Sequence, residues 1–256
     1  MGFPARRYEM ALTCELASSK ELVMKFGIIG GNGVAATNRL LDLVERKVTA
    51  QGAFRDAHHP EMIVWQATQA PSRSMFLEGR GPSWIPDYVR IACELKRLGC
   101  NVGCMCCNTA QYAVDEIAEK SGLTFINLLK EVVEAAKRTG EKTFEIFCTD
   151  GARKLDLYGK MFSSIFPSAH VAYPSEERQR LVTKVICDVK NKTRLLPKNH
   201  PEHPSSLLSR LIASASAPVI LGCTDLSLAD SKGFLIDSLE TLADAIVRRH
   251  HPDGGA

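Results

Sequence analysis

At 256 residues, with 45% hydrophobic and 24% charged side chains, the chain can fold as one large or two small domains, in the range of ordinary soluble proteins. A net charge of +3 with no Lys/Arg-rich run excludes a nucleic-acid surface, and no apolar stretch approaches the roughly 20 residues of a membrane span. The first 23 residues lack the continuous apolar segment of a secretion signal, so they read as a flexible leader and the chain as cytoplasmic.

From Met24 onward, strand and helix signals alternate. "KFGIIG" (Lys25–Gly30) is a short apolar run that ends in the tight turn "GGNG", and "VAATNRLLDLVERKV" follows with Leu40, Leu41, Val44 and Val48 at helical spacing. "EMIVWQ" (Glu61–Gln66) predicts a second strand, and the Pro/Gly/Ser-rich stretch Gln69–Trp84 predicts a long loop. A helix begins near Pro86, runs through Ile91, Leu95 and Leu98, and stops at Gly99. "NVGCMC" (Asn101–Cys106) predicts the third strand, and "QYAVDEIAEKSG" the helix after it. "LTFIN" with "LLKEVVEAAKRTG" repeats the theme, and "KTFEIFCT" (Lys142–Thr149) leads into a helix near Leu155–Phe162. "SAHVAY", a long amphipathic helix over Ser175–Lys190, a turn-rich break at Lys198–Ser206, the helix "LLSRLIASA", the strand "PVILGC" (Pro218–Cys223), and finally "FLID" and "LETLADAIVRRH" complete the pattern before the tail "HPDGGA".

This alternation predicts an α/β fold with mostly parallel sheets covered on both faces by helices. "VGCMCCNTA" and "PVILGCTDL" echo each other: both are strand, then Cys, then Thr within two residues, with Cys107 and Cys223 lying 116 residues apart. The echo predicts two similar lobes with a site in the cleft between them. Their expected extents are 24–126 plus 226–256 for lobe one and 127–225 for lobe two. Each lobe would present one cysteine at a strand's carboxyl end, where open α/β sheets bind ligands.

The cysteines number nine: Cys14, Cys93, Cys100, Cys104, Cys106, Cys107, Cys148, Cys187 and Cys223. An odd number without a secretion signal reads as reduced thiols. Cys104 and Cys106 share strand parity and read as inert core thiols. Cys107 reads as the last strand residue before Asn108 and Thr109. A thiol at such a strand-to-helix junction meets free backbone N–H groups and the positive end of a helix dipole, which should lower its pKa from about 8.5. Cys223, followed by Thr224 and Asp225, has the same placement. The C-x-C-C spacing does not match structural zinc, and none of the seven histidines pairs with the cysteines, so no metal is expected. "GGNG" fits neither dinucleotide nor P-loop fingerprints; it is a strand-to-helix turn able to cradle a carboxylate or phosphate. On general grounds Arg73, Lys190 and Lys192 read as solvated cations.

Together these segments resemble the aspartate/glutamate racemase superfamily, across Met24 to about His250. "GIIGGNGVAAT" is similar to the family's opening, "CCNTA" to its first cysteine motif, and "LGCTDL" to its second. "IFCTDGARKLDLY" matches a G-T…Y segment through Thr149 and Tyr158, "YPSEERQRLVTKVICDVK" a helix ending near a Lys, and "FLIDS" the closing strand. "PSRS" resembles the aspartate racemase branch, with Arg73 at its arginine position and Lys190, or Lys192 as the fallback, at its lysine position. The chain departs from the family with Asn32 for the usual Met, Val34 for Pro and Asp225 for Glu, and it lacks the G-C-T-H and D-S-G motifs of glutamate racemases.

The resemblance implies a racemase of aspartate, with glutamate the other dicarboxylic candidate, that acts as a homodimer without pyridoxal phosphate. It implies Cys107 and Cys223 as opposed acid/base thiols, since racemisation removes the Cα proton on one face and returns one on the other. It also implies Arg73 and Lys190 on the distal carboxylate, and Asn32, Asn108, Thr109, Thr149 and Thr224 around the remaining substrate groups. Other superfamily activities share the signature: broad-specificity amino-acid racemase, hydantoin racemase and maleate isomerase. A non-catalytic amino-acid-binding protein of the same fold is the alternative from outside enzymology.

Overall fold

In the computed structural model, residues 24–250 are described; the leader 1–23 with Cys14, and the tail 251–256, lie outside them. The expected alternation produces two four-stranded parallel sheets. The first comprises β1 (Lys25–Gly30), β2 (Glu61–Gln66), β3 (Val102–Met105) and β4 (Thr124–Ile126), in the order β2-β1-β3-β4. The second comprises β5 (Thr143–Phe147), β6 (His170–Ala172), β7 (Val219–Leu221) and β8 (Ile236–Asp237), in the order β6-β5-β7-β8. The two orders are the same topology repeated. In each, the first and third strands of the repeat are central neighbours, with Ile29 opposite Met105 in one sheet and Phe147 opposite Leu221 in the other.

The central strands are apolar on consecutive residues because both faces are covered. A shared core lies between the sheets. It joins Phe26, Ile28 and Cys104 of the first sheet to Phe144, Ile146 and Ile220 of the second. It is filled by α1 (Val34–Ala50), α5 (Leu128–Arg138), α7 (Leu157–Ile165) and α11 (Ser238–His250). The outer face of the first sheet packs on α3 (Ile85–Arg97) and α4 (Val114–Ser121), and that of the second on α8 (Glu176–Asp188) and α10 (Pro204–Ala213). Side-chain caps start several helices: Asn127 Oδ1 accepts from Lys130 N at 3.1 Å before α5, and Ser175 Oγ from Arg178 N at 3.4 Å before α8.

Several boundaries differ from the sequence expectation. The predicted loop Gln69–Trp84 contains a helix, α2 (Arg73–Leu77), because Ser72 Oγ accepts from Met75 N at 3.3 Å and organises the turn that carries Arg73. The helix expected near Leu155–Phe162 is preceded by a separate turn, α6 (Asp150–Lys154), broken off by Asp156 in the left-handed region at φ 51°. β3 ends at Met105, so Cys107 lies in the turn beyond the strand rather than at its last position. The segments after both cysteines, Thr109–Ala113 and Thr224–Ala229, are 3-10 helices. The closing segment expected with the first lobe gives its strand, β8, to the second sheet, while α11 packs on both α1 and α5. A final short helix, α9 (Lys192–Leu195), follows α8.

Candidate active site

Each parallel sheet reverses its winding between its two central strands, and a crevice opens at the carboxyl end of that point. Here the two crevices face one cavity of about 250 Å³. Asn32 enters it from the turn after β1, Cys107, Asn108 and Thr109 from the turn after β3, Thr149 after β5, and Cys223 and Thr224 after β7. Arg73 comes from the first turn of α2, and Lys190 from just beyond α8. All nine positions singled out from the sequence therefore line one cavity. The volume falls below the roughly 300–1,000 Å³ of sites that hold drug-sized ligands and suits a small metabolite.

The opening turn is built for close approach. Gly31 adopts φ +80°, and a Cβ there would lie 2.7 Å from Ala67 N, so the backbone turns against β2's end before α1 begins. Its N–H donates to Thr37 Oγ1 at 3.0 Å, so this amide is already engaged. Asn32 Oδ1 accepts from the Tyr88 hydroxyl, while its Nδ2 is buried and has no partner among the described residues. Arg73 donates to the carbonyls of Pro71 at 3.0 Å and Asn32 at 3.4 Å, and its Nε is likewise buried without a partner. Both donors belong to residues that line the cavity, but the atoms themselves are shut off from solvent.

The short polar residues beside the cysteines are held by the protein itself. Asn108 Nδ2 donates to Ser238 Oγ at 2.8 Å, and its Oδ1 accepts from the Tyr158 hydroxyl at 2.7 Å. The hydroxyls of Thr109 and Thr149 bond each other at 2.9 Å, joining the first sheet's turn to the second's, and Thr224 Oγ1 donates to Cys106 O at 3.3 Å. They act first as braces between the two sheets. One amide proton of Asn108, one proton of the Thr109–Thr149 pair and the acceptor lone pairs of Thr224 remain for a ligand. Tyr158 is fully buried and supports Asn108 from behind.

The two candidate thiols sit in different settings. Cys107 is half-buried; Cys223 is buried among Phe147, Val182 and Leu221. Burial, then the neighbouring Asp225 carboxylate, pushes the Cys223 thiol well above the ordinary range, against a backbone hydrogen bond and the Lys190 charge. The sequence expectation of a lowered pKa at Cys223 is therefore corrected. The residue does stand at a helix start, but loss of solvation in a closed core outweighs the few amides of a single 3-10 turn. Cys104 and Cys106 are fully buried in the shared core, as their parity requires, and burial pushes Cys104 up to about 12.

Lys190 Nζ lies 3.7 Å from Asp225 Oδ2, whereas Lys192, the fallback, turns to Asp188 at 3.0 Å and is absent from the cavity wall. Four cavity residues on or near α8, Thr183, Ile186, Cys187 and Lys190, were not grouped by the sequence reading. Their i, i+3, i+4, i+7 spacing marks one helix face and was the available signal. Asp225 and the Glu78–Arg80 pair also line the cavity. Among the described residues the eight cysteines are free, no group of three His, Cys, Asp or Glu side chains is placed to hold a metal ion, and no helix is long and apolar enough to cross a membrane.

Residues 27–246 match the family described as Asp/Glu/Hydantoin racemase. Among solved structures the fold is similar to that of aspartate racemase from Picrophilus torridus, with a TM-score of 0.75 and 21% identity over 89% of this chain and 94% of that one. An aspartate racemase homologue from Pyrococcus horikoshii OT3 aligns with a TM-score of 0.67 and 21% identity over 88% and 98% of the two chains. A glutamate racemase from Bacillus anthracis aligns at 0.62 and 15% identity over 93% and 85%.

Proposed function

The chain belongs to the Asp/Glu/hydantoin racemase family, and from that premise we propose that it interconverts L- and D-aspartate, or glutamate, using Cys107 and Cys223 as opposed acid/base groups. The observation that carries this reading is the meeting of two cysteines, from equivalent positions of two repeated sheets, at one cavity. A single fixed base cannot reprotonate the face opposite to the one it deprotonated; two groups on opposite sheets can. One thiolate takes the Cα proton, the electron pair passes into the α-carboxylate as an enolate, and the other thiol gives its proton to the opposite face. The two cysteines end with their protonation states exchanged.

Burial and Asp225 keep Cys223 as the thiol, so Cys107 is the first base for one enantiomer. Arg73 supplies the charge for the distal carboxylate, and the free amide proton of Asn108 and the free hydroxyl proton of the Thr109–Thr149 pair stabilise developing oxyanion charge. The reading includes a homodimer that needs no pyridoxal phosphate and works in the cytoplasm, where free thiols persist.

The deciding experiment is incubation with L-aspartate and L-glutamate in D2O, following Cα deuteration together with the D-enantiomer. Cys107→Ser and Cys223→Ser should each lower turnover by about 10²–10⁴-fold, the range of general acid–base catalysis, with binding largely kept. Near wild-type turnover in either variant rules the two-thiol assignment out.

A further inference from the structure

Three cations line the cleft, Arg73, Arg80 and Lys190, and three carboxylates, Glu78, Asp150 and Asp225. Their pairing is uneven. Arg80 is held by Glu78, and Lys190 faces Asp225 at 3.7 Å. Asp150 accepts from Gln179 Nε2 and Thr183 Oγ1, each at 2.9 Å. Arg73 has only the backbone carbonyls of Pro71 and Asn32, with no carboxylate partner among the described residues. The cleft therefore offers a ligand Arg73, which makes no ion pair among the described residues, and Lys190, already facing an internal carboxylate, while Asp150 is held only by neutral partners.

Asp225 is an unusual carboxylate. It is 4% exposed, and its Oδ1 is buried with no hydrogen-bond partner among the described residues. Only a glycine fits opposite it: a Cβ on Gly33 would lie 2.2 Å from Oδ1. The opening turn of the first sheet thus closes directly over a side chain of the second. Burial pushes the Asp225 carboxyl above its usual range, while Lys190 and then Arg73 pull it back. A buried charge this poorly satisfied is costly to the fold, so a function is its more economical explanation.

We propose that Asp225 is a specificity-determining residue, an internal counter-ion that occupies Lys190 and disfavours dicarboxylic ligands that lack an ammonium group. This rests on the reading of Arg73 and Lys190 as the distal-carboxylate site. An amino dicarboxylate such as aspartate brings an ammonium group that offsets the Asp225 carboxylate while a carboxylate meets Arg73. A dianion without an ammonium group lacks that offsetting charge in a cleft where Lys190 is already shared, and meets Asp225 as a repelling neighbour. A neutral amino acid leaves Arg73 without a partner.

The probes are succinate, a dianion, and propionate, a monoanion, titrated calorimetrically into the full-length protein. Asp225→Asn keeps the shape and removes the charge. It should tighten succinate by at least about tenfold, ~1.4 kcal/mol, and change propionate less than about twofold, the selectivity expected of a single charge contact. Adding Lys190→Gln to Asp225→Asn should erase the gain. Succinate binding unchanged or weakened by Asp225→Asn, or propionate tightened equally, overturns the proposal. Should Asp225→Asn not fold, single variants decide: Arg73→Gln should weaken succinate by about tenfold or more and Lys190→Gln by less than about threefold, and equal losses overturn the idea. Absence of succinate binding in every variant overturns it whatever the turnover. Binding as expected with no Cα exchange of aspartate leaves the proposal standing and removes the racemase reading instead.

Discussion

Cys223 and Cys107 reach the same cavity with different exposure, and in the proposed mechanism it is the buried Cys223 that starts as the thiol. For Cys223 the charged form is the disfavoured one in the folded protein, because burial and the Asp225 charge both penalise a thiolate. The sign follows directly: as pH rises, the thiol persists past its ordinary titration range and ionises only above it. Alkylation by iodoacetamide at pH 8, read by peptide mass spectrometry, should therefore label Cys223 slowly in the native protein and rapidly in denaturant. Asp225→Asn should speed the native reaction. Labelling of native Cys223 at the free-thiol rate at pH 8 contradicts the buried-acid assignment. That Cys107 and Cys223 would meet at one cavity was legible from Thr109 and Thr224 following them. The raised pKa at Cys223 was not, because desolvation depends on Phe147, Val182 and Leu221 arriving from elsewhere in the chain.

The turn between β1 and α1 positions the first-sheet half of the site. Gly31 is strained for any other residue on two counts, a left-handed φ of +80° and a backbone atom, Ala67 N, 2.7 Å from where a Cβ would stand. Gly31→Ala should destabilise the protein by about 1–3 kcal/mol or more and weaken ligand binding, since Asn32 would be displaced from the Tyr88 hydroxyl. Gly140 shares the φ of +80° but has nothing within 4 Å of its Cβ position, so Gly140→Ala serves as the control for backbone strain alone. Thermal melts separate the two; equal losses mean that the contact with β2's end is unimportant. At this scale the strands and most helices were legible from periodicity, and two similar lobes from the echo of the two cysteine segments, whereas the strand order came only with the structure. The helix α2 was not, because a Pro/Gly/Ser-rich composition hides a turn that Ser72 caps by one hydrogen bond.

The two sheets share one core, and no lobe owns it. Phe26, Ile28, Phe144, Ile146 and Ile220 pack into the same cluster around α11, and Arg248 and Arg249 of that helix pair with Glu131 of α5. Neither half can bury its inner face alone, so unfolding should be one cooperative event. Both tryptophans, Trp65 and Trp84, lie on the first-sheet side, so fluorescence reports that half while far-ultraviolet circular dichroism reports the whole. The denaturant midpoints by the two probes should coincide, and two separated transitions would show lobes that fold independently.

By itself the sequence determined the alternation of strand and helix, the internal repeat, and the residue types that end each central strand, because hydrophobic periodicity and motif order are local properties. Tertiary structure alone decided which charges stand free and which are paired. The sequence preferred Lys190 and kept Lys192 as the fallback, and only the fold shows that the first faces Asp225 and the second Asp188. Asn108, Thr109 and Thr224 read as free donors until their partners Ser238, Thr149 and the Cys106 carbonyl came into place. Pairing and solvation are settled by what lies across the cleft, and residues across the cleft are distant in sequence.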